Sequence, residues 1–355
     1  MATLSMAGNS KSPARRIPEF FTEKINAPLY DFESPNFLPT AKNKQVNLLG
    51  SIGYNLLRLH KYIASIRYID RMIKETGADV VVNFYELLTG LTYLFARPKA
   101  VMICIAHQYL FLHPDFSFPK LNAVSLSLLK FFTRVTAIGA TKKLALSFRK
   151  MREVPNDKIV VVPPLLRKEV MSRTSRKGNY LHGYLLNSGF SEEVKAWHTK
   201  HPDVPMHIFW DKRGAKETTK VDDTLSFHQL NDIRFVKYMA GAKAYATTAG
   251  FESVCEAMYL NKPVLMVPTH IEQACNAYDA SLSGAGVIAD RFDLDVLLHL
   301  ETHQPNPPFR HWVKQADWLI LREFREDLLM EEMPSSVWHR LSMQWVYRMA
   351  KNFSL

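Results

Sequence analysis

The stretch that decides the fold runs from Thr247 to Ala277 and reads TTAGFESVCEAMYLNKPVLMVPTHIEQACNA. A short β-prone run, Lys243 to Thr247, leads into it, and the turn Thr248-Ala249-Gly250 separates this run from a helix predicted from Phe251 to Leu260. A second strand is predicted from Pro263 to Val267. The order strand, turn, helix and strand is typical of a parallel α/β sheet.

The turn and the first turn of the predicted helix have the chemistry of an anion-binding site. Gly250 has no Cβ, so a ligand can approach its backbone closely, and the free N–H groups of a first helical turn can hold a diphosphate. This assigns Gly250, Phe251 and Ser253 to the diphosphate, with the Ser253 hydroxyl as a further donor. Side chains lean toward the N-terminus of a helix, so Glu256, one turn after Ser253, is predicted to accept hydrogen bonds from ribose hydroxyls.

Two amides follow the second strand at helical spacing. Gln273 and Asn276 lie three residues apart, so both side chains can face a bound sugar. Taken singly, each feature has a common structural explanation, because a helical Glu is often solvated surface and an Asn or Gln is often a helix cap. The joint spacing of Gly, Ser, Glu, Gln and Asn favours a sugar-nucleotide pocket.

On these residues the segment resembles the C-terminal half of the GT-B glycosyltransferases, particularly family 28 and related uncharacterised bacterial glycosyltransferases. The resemblance implies an α/β fold with two doubly wound Rossmann-like domains facing a cleft. It also implies that Glu256 holds ribose and that Gln273 and Asn276 hold the donor sugar. The function it implies is an inverting, metal-independent hexosyltransferase that uses a UDP-sugar as donor substrate, requires no cofactor and contributes to cell envelope polysaccharide.

Two more loops are predicted on the same rim of the sheet as Gly250. The strand Tyr180 to Leu186 leads into Asn187-Ser188-Gly189, and the strand that ends in TLSF at Phe227 leads into His228-Gln229-Leu230. Ligands of doubly wound sheets bind outside the carboxyl ends of the strands. In the families that this chain resembles, the first loop approaches the phosphates and donor sugar, and the second carries the backbone that reads uracil.

The first half of the chain is predicted to be a separate α/β domain. Strands are expected at Asp79 to Asn83, Ala100 to Ala106 and Val135 to Ile138, with helices between them. Their continuous apolar runs are typical of a parallel sheet that is covered on both faces.

A length of 355 residues, 47% of them hydrophobic, suits two such domains. The predicted division is an acceptor-side domain at residues 1–166 and a nucleotide-sugar-binding domain at residues 167–329. A terminal helix at residues 330–355 is expected to pack back on the first domain.

An inverting transferase needs a base to deprotonate the acceptor hydroxyl. The candidate is His107, which directly follows the strand AVMICIA and so projects toward the cleft between the domains. A structural histidine at a strand end is the competing interpretation. Asn83 and Glu86, after the preceding strand, are candidates for contact with the acceptor.

The net charge of +11 is concentrated in one part of the chain. From Thr141 to Lys177 eleven Lys or Arg residues stand against three acids, over a predicted helix, the strand Ile159 to Val162 and a linker that begins at Arg167. This basic seam could attract a nucleotide diphosphate or anionic head groups, or it could simply be a solvated linker. Nucleic acid is not an expected partner, because no recognised binding motif accompanies the charge.

Metal and membrane signals are weak. Three cysteines and thirteen histidines form no metal-ligand spacing, so no dedicated metal site is expected. No apolar run is long enough to span a bilayer and no signal peptide is recognisable, which predicts a cytoplasmic protein. The amphipathic, basic stretches Val46 to Thr76 and Ser335 to Leu355 are expected to pack within the protein, with peripheral contact at the inner membrane face and a lipid-linked acceptor as the alternative.

The start of the chain departs from the pattern of the resembled enzymes. No strand with a Gly-rich loop precedes residues Ala2 to Ala7, which look like a second strand. The expectation is therefore a start codon placed too late, or a fragment. Three other functions remain open, namely a non-hydrolysing UDP-sugar 2-epimerase, a non-catalytic or truncated sugar-nucleotide-binding protein, and a membrane-surface structural protein.

Overall fold

The computed structural model describes residues 5–9, 27–35, 38–39, 46–186, 188–212, 214–299 and 306–328. Within these ranges the two larger sheets contain four and seven strands, and helices cover their faces. None of the helices in the described ranges is both long and apolar enough to span a bilayer.

Short elements precede the first of these sheets. Strands β1 (Ser5–Asn9) and β2 (Leu29–Glu33) pair in parallel, and β3 (Leu38–Pro39) pairs with β4 (Val46–Asn47) in antiparallel fashion. Two helices follow, α1 (Leu48–Leu57) and α2 (Leu59–Glu75). Strand β1 overlaps the strand expected at residues 2–7.

The four-stranded sheet is entirely parallel, with strand order β5-β6-β7-β8. Its elements are β5 (Val80–Asn83), α3 (Leu87–Phe95), β6 (Val101–Ala106), α4 (Ala123–Thr136), β7 (Lys142–Leu146) and β8 (Ile159–Val162). A 3₁₀ helix, His107–Leu112, follows β6 directly.

One strand of this sheet was predicted at the wrong place. Val135 to Ile138 is not a strand, because α4 continues to Thr136 and a turn follows it. The strand is Lys142–Leu146, within the part expected to be helical. A short β-branched run cannot be distinguished from a buried helix end by periodicity alone. The strand begins with two lysines, which interrupt the apolar pattern expected of a buried strand. One of them, Lys142, forms an ion pair with Glu323 at 3.0 Å.

The seven-stranded sheet has the order β11-β12-β10-β9-β13-β14-β15, and all neighbours are parallel except β11 and β12. A short helix in the predicted linker comes first, and the remaining elements follow in chain order: α5 (Lys168–Met171), β9 (Leu181–Leu185), α6 (Ser191–Lys200), β10 (Met206–Trp210), β11 (Thr218–Lys220), β12 (Leu225–Gln229), α7 (Asp232–Gly241), β13 (Ala244–Thr247), α8 (Phe251–Tyr259), β14 (Val264–Met266), α9 (Ile271–Leu282) and β15 (Gly286–Ile288).

The strand order reverses beside β9. The chain proceeds from β9 to β10 on one side and later returns with β13 on the other side. In open α/β sheets such a reversal creates a crevice outside the carboxyl ends of the two strands, and ligands bind there. The turn Thr248-Ala249-Gly250 follows β13 at this point, as the sequence predicts.

The last described helices return to the four-stranded sheet. After α10 (Asp295–His299) come α11 (Pro307–Lys314) and α12 (Ala316–Leu328). The Trp312 indole of α11 donates to the Ser147 carbonyl oxygen at 2.9 Å, and one buried cluster joins strands of the four-stranded sheet to α8 and α11. The helix expected at residues 330–355 lies outside the described residues, and the domain boundary near residue 166 stays a prediction.

Candidate functional site

The turn between β13 and α8 leaves open space for a ligand. A Cβ built on Gly250 meets only the Ser253 hydroxyl oxygen, at 3.7 Å, so no other side chain fills the space in front of this residue. Ala249 has a φ of 66°, a left-handed conformation that is uncommon for a residue with a Cβ. Such strain is found where the surrounding structure holds a functional loop in place.

The first turn of α8 has donors without a capping side chain. Gly250 is the N-cap residue, and no side chain of the described residues caps the N–H groups that follow it. The Ser253 hydroxyl donates to the Gly250 carbonyl oxygen at 3.2 Å. Free N–H groups at a helix N-terminus, together with the helix dipole, attract anions. Gly250, Phe251 and Ser253 lie at this helix N-terminus, and their assignment to a diphosphate stays a prediction.

Glu256 is engaged in a buried ion pair that the sequence did not reveal. Arg167 contacts both carboxylate oxygens, through Nε to Oε1 and through Nη2 to Oε2 at 2.8 Å. Both side chains are buried, with 14% and 7% of the Arg167 and Glu256 side chains exposed. Burial lowers the pKa of Arg167, but the Glu256 charge and hydrogen bond outweigh burial and raise this pKa above its ordinary value.

Glu252 is a second carboxyl group, in the first turn of α8. Burial and, less strongly, the Glu256 charge one helical turn away together raise its pKa to about 8, although Arg167 opposes both. A carboxyl group with this pKa is mostly protonated at pH 7 and can donate a hydrogen bond. The sequence analysis missed Glu252, although its position beside Ser253 in the first helical turn was a usable signal.

His107 lies at the contact between the two larger sheets. Its Nδ1 donates to the Leu146 carbonyl oxygen at 2.7 Å, and its ring stacks on Phe251 with centroids 4.0 Å apart. Burial lowers its pKa below the ordinary value, against the opposing effect of Asp279. The imidazole is therefore neutral at pH 7. With Nδ1 protonated, Nε2 carries a lone pair and is the atom that can accept a proton.

The structure brings His107 and Asn276 together but gives Gln273 a different partner. Asn276 lies close enough to His107 to oppose, weakly, the lowering of the His107 pKa by burial. Both His107 Nε2 and Asn276 Oδ1 are buried without a hydrogen-bond partner among the described residues. Gln273 Oε1 instead accepts from the Thr269 N–H at 2.9 Å and from its hydroxyl at 2.8 Å. The Gln273 amide nitrogen is therefore the group of this side chain that is predicted to donate a hydrogen bond to a sugar.

Polar contacts link α9 to the four-stranded sheet on either side of this pair. Gln108 Nε2 donates to Glu272 Oε1 at 2.7 Å. Arg149 forms an ion pair with Asp279 and donates to the Ser283 hydroxyl at 2.9 Å. The helix that carries Asn276 is thus held against the elements that carry His107.

Several other predicted residues have structural partners. Asn187 lies outside the described residues, whereas Ser188 and Gly189 form a partly buried 3₁₀ turn at Ser188–Phe190. His228 lies within β12 rather than after it. Its Nε2 is bonded to His207 Nδ1 at 3.1 Å, and burial lowers the pKa of His228 to about 4. Its side chain is therefore not available to a nucleotide.

The side chains of Asn83 and Glu86 form hydrogen bonds within the protein, and their contact with an acceptor stays a prediction. Asn83 Nδ2 donates to the Thr136 carbonyl oxygen at 2.8 Å. Glu86 caps α3 by accepting from the Leu88 N–H at 3.1 Å, and it also accepts from the Ser34 hydroxyl. Both side chains hold the loop after β5 in place.

Ion pairs neutralise part of the basic seam. Four of its cations face carboxylates, in the pairs Lys142–Glu323, Arg149–Asp279, Arg152–Asp115 and Arg167–Glu256. No group of three or more metal-ligating side chains occurs in the part of the chain that the structure describes. The N-terminus of α8 offers an anion site that does not depend on these paired cations.

Comparisons with known proteins agree with this architecture. A family model described as glycosyl transferase family 1 matches residues 35–303. None of the curated proteins matches the chain. The predicted resemblance to family 28 in particular stays a prediction.

Solved structures of UGT89C1 from Arabidopsis thaliana are similar over nearly the whole chain. The complex with UDP is 13% identical and covers 92% of each chain, with a TM-score of 0.55. The complex with UDP-L-rhamnose is 14% identical, covers 98% of this chain and 92% of that chain, and has a TM-score of 0.53. The complex with quercetin is 15% identical, covers 92% and 99%, and has a TM-score of 0.51. At these identities the likeness shows the fold alone, and the predicted GT-B fold is confirmed.

Proposed function

We infer the function of this chain from the family to which it belongs, which is glycosyl transferase family 1. We propose that the chain moves a sugar from a UDP-sugar to a hydroxyl group of an acceptor, with inversion at the sugar carbon and without a metal ion. The donor class, the stereochemical course and the activity of this chain are the proposed parts.

One observation carries the proposal. His107 Nε2 and Asn276 Oδ1 are two buried acceptors near each other, and neither has a partner among the described residues. Buried polar atoms are rarely left unsatisfied in native proteins unless they serve a ligand, a water or catalysis. A substrate hydroxyl supplies the missing donor, and Nε2 is the atom that takes its proton.

The remaining residues fit the two substrates on either side of this pair. The N–H groups of Gly250 to Ser253 face the diphosphate, and the helix dipole offsets the charge that develops when the diphosphate leaves. Glu256 accepts from ribose, while the Gln273 amide and Asn276 contact the sugar. The proposed base, His107, and the diphosphate leaving group at the N-terminus of α8 are at separate positions. This arrangement suits a single displacement at the sugar carbon, which inverts that carbon.

The solved neighbours support the choice of donor. Two of the UGT89C1 structures are complexes with UDP and with UDP-L-rhamnose. A uridine diphosphate sugar is therefore the first donor class to test. A UDP-sugar 2-epimerase would yield an altered UDP-sugar rather than sugar on an acceptor, and a non-catalytic binding protein would hold UDP without turnover.

Turnover of UDP-sugars by wild type and by His107→Gln tests the proposal. We expect wild type to release UDP with sugar appearing on an acceptor, and the variant to lose about 10²- to 10⁴-fold in kcat, because Gln cannot accept the proton. The affinity for UDP, measured by calorimetry, should be unchanged.

A matched control separates catalysis from folding. His113 is buried like His107, and its Nε2 bonds the Arg152 carbonyl oxygen at 2.9 Å, away from the pair with Asn276. His113→Gln should leave kcat within a factor of a few. A folded His107→Gln variant with wild-type kcat would exclude His107 as the base, and an altered UDP-sugar as the product would favour the epimerase.

The acceptor is not identified, and we propose as the alternative to an acceptor in solution a lipid-linked acceptor at the inner face of a membrane. Apolar side chains at the junction of α1 and α2 are exposed rather than packed, among them Leu57 at 81% and Leu56 at 66%. Arg67, Arg71 and Lys74 are exposed farther along α2. Exposed apolar side chains with nearby cations favour contact with anionic lipid.

Leu56→Ser combined with Leu57→Ser tests this location. Burial of a leucine side chain contributes about 1.5–3 kcal/mol, so the double variant should bind anionic vesicles at least tenfold more weakly in sedimentation. Ile233→Ser, which changes an equally apolar residue that is 55% exposed on α7, is the control and should bind as wild type does. Absence of vesicle binding by wild type would exclude the proposed location.

A further inference from the structure

Three hydroxyl groups beneath the turn after β13 lack partners. They belong to Tyr184 on β9 and to Tyr245 and Thr247 on β13, and all three oxygens are buried without a hydrogen bond to any described residue. Thr247 is the register partner of Tyr184, and Tyr245 lies two residues before Thr247, so the three side chains share one face of the sheet. They lie under the first turn of α8.

Such a cluster is unfavourable unless something satisfies it. A buried hydroxyl that makes no hydrogen bond forfeits the bonds it would make to water. The turn directly after Thr247 also contains Ala249 in its left-handed conformation. Unsatisfied hydroxyls and strain at one place indicate an arrangement that serves a ligand rather than stability.

Ser253 is the group that can connect these hydroxyls to a ligand. Burial raises the pKa of Tyr245 well above its ordinary range, and the hydroxyls of Ser253 and Thr247 are close enough to oppose this rise. Ser253 at present donates to the Gly250 carbonyl oxygen at 3.2 Å. A serine hydroxyl has one proton to give and two lone pairs that accept. It can therefore donate to a ligand while it accepts from Tyr245.

We propose that Tyr245 is a positioning residue for the donor diphosphate, acting through Ser253. When a diphosphate binds at the N-terminus of α8, the Ser253 hydroxyl turns from the Gly250 carbonyl to a phosphate oxygen. The Tyr245 hydroxyl then donates its proton to the Ser253 oxygen in a hydrogen bond, and no covalent bond changes. This inference rests on the proposed function, because it assumes a diphosphate at this helix end.

The arrangement suits the charges around it. Glu256 and Arg167 neutralise each other one turn along the helix. The hydroxyls of Tyr245 and Ser253 together present one oriented hydrogen-bond donor to the diphosphate without adding a cation. The bond from Tyr245 to Ser253 polarises the Ser253 hydroxyl and so strengthens its bond to the phosphate. Tyr245 thereby orients the Ser253 hydroxyl, which otherwise donates to the Gly250 carbonyl oxygen.

Tyr245→Phe separates this role from a structural one. The variant removes a hydroxyl that has no hydrogen-bond partner among the described residues, so its Tm should equal or exceed that of wild type. Its Kd for UDP, measured by calorimetry, should rise about fivefold, which corresponds to one hydrogen bond of about 1 kcal/mol. In a Ser253→Ala background the same substitution should leave Kd unchanged, because the connecting hydroxyl is gone.

Tyr109→Phe is the matched control. Tyr109 is fully buried in the four-stranded part, and its hydroxyl bonds Thr136 Oγ1 at 3.2 Å. This variant should lower Tm and leave the Kd for UDP unchanged.

Each outcome decides the question. If wild type binds UDP and Tyr245→Phe binds it equally well, the relay through Ser253 is wrong while the proposed function stands. A lowered Tm with unchanged Kd for Tyr245→Phe shows a purely structural hydroxyl and also overturns the relay. If folded wild type does not bind UDP at all, the proposed function itself fails.

Discussion

Replacing Glu256 by alanine is expected to destabilise the protein by about 3–5 kcal/mol in the absence of any ligand. The reason is Arg167, which is buried and makes its ion pair with both oxygens of this carboxylate. Without Glu256 the guanidinium loses its main counter-charge and keeps only the weaker influence of Asp232 and Glu169. Denaturant unfolding of wild type and variant measures this loss directly.

The same carboxylate is proposed to accept hydrogen bonds from ribose. A substitution of Glu256 alone therefore cannot separate a loss of stability from a loss of UDP affinity. The pair Arg167→Met and Glu256→Gln removes both charges at nearly constant volume, and the double variant should regain most of the lost stability. Wild type should be stabilised by about 2.7 kcal/mol at a UDP concentration of one hundred times Kd. The double variant should show little or no UDP stabilisation at this concentration.

Two results would contradict this account. Wild-type stability for Glu256→Ala would show that the ion pair contributes nothing to folding. Wild-type UDP affinity for the double variant would remove Glu256 from the ribose site. Both roles can coexist, because a carboxylate has about four lone-pair positions and Arg167 occupies two.

The sequence predicted those parts of the fold whose signal is local. Strand β13, the turn and α8 were placed within one residue, because an apolar run, a glycine and a helical pattern follow one another there. Strand β7 was missed, because Lys142 resembles a surface residue until Glu323, far along the chain, is placed beside it. An ion pair between residues far apart in the chain cannot be recognised from the hydrophobic pattern of a short stretch of sequence.

The residues of the candidate site likewise fall into those with a local sequence signal and those placed by contacts between distant residues. Gly250, Ser253 and Glu256 stand out because helix geometry fixes their mutual positions. Arg167 could not be assigned to Glu256, since only the folded chain brings the linker against α8. Gln273 was assigned to a sugar, but the competing bonds from Thr269 to its carbonyl oxygen depend on the loop conformation before α9.

The affinity for UDP is expected to fall as pH rises above 8, by as much as tenfold per pH unit. Glu252 has a pKa of about 8 and lies in the first turn of α8. Below this pH its neutral carboxyl can donate to a phosphate oxygen, and above it the carboxylate repels the diphosphate. The terminal phosphate of UDP changes little in this window, since a phosphate monoester has its second pKa near 6. Calorimetry between pH 7 and 9.5 measures the effect.

Stability should change with the same group at lower pH. The pKa of Glu252 in the folded state, about 8, is raised above its ordinary value of 4.5. Between these values the folded state binds more protons than the unfolded state, so the free energy of unfolding decreases as pH rises through this window. Above pH 8 both states are deprotonated at Glu252 and its contribution becomes constant.

Glu252→Gln isolates this carboxyl group, because glutamine has the shape of the protonated acid and cannot ionise. The variant should bind UDP with nearly the same affinity at pH 7 and at pH 9.5, and above pH 8 it should be more stable than wild type. Glu192→Gln is the control, since Lys195 lowers the pKa of Glu192 and this carboxylate stays ionised throughout the range. An equal loss of affinity in wild type and Glu252→Gln would assign the titration to another group, and a flat wild-type profile would place Glu252 away from the diphosphate.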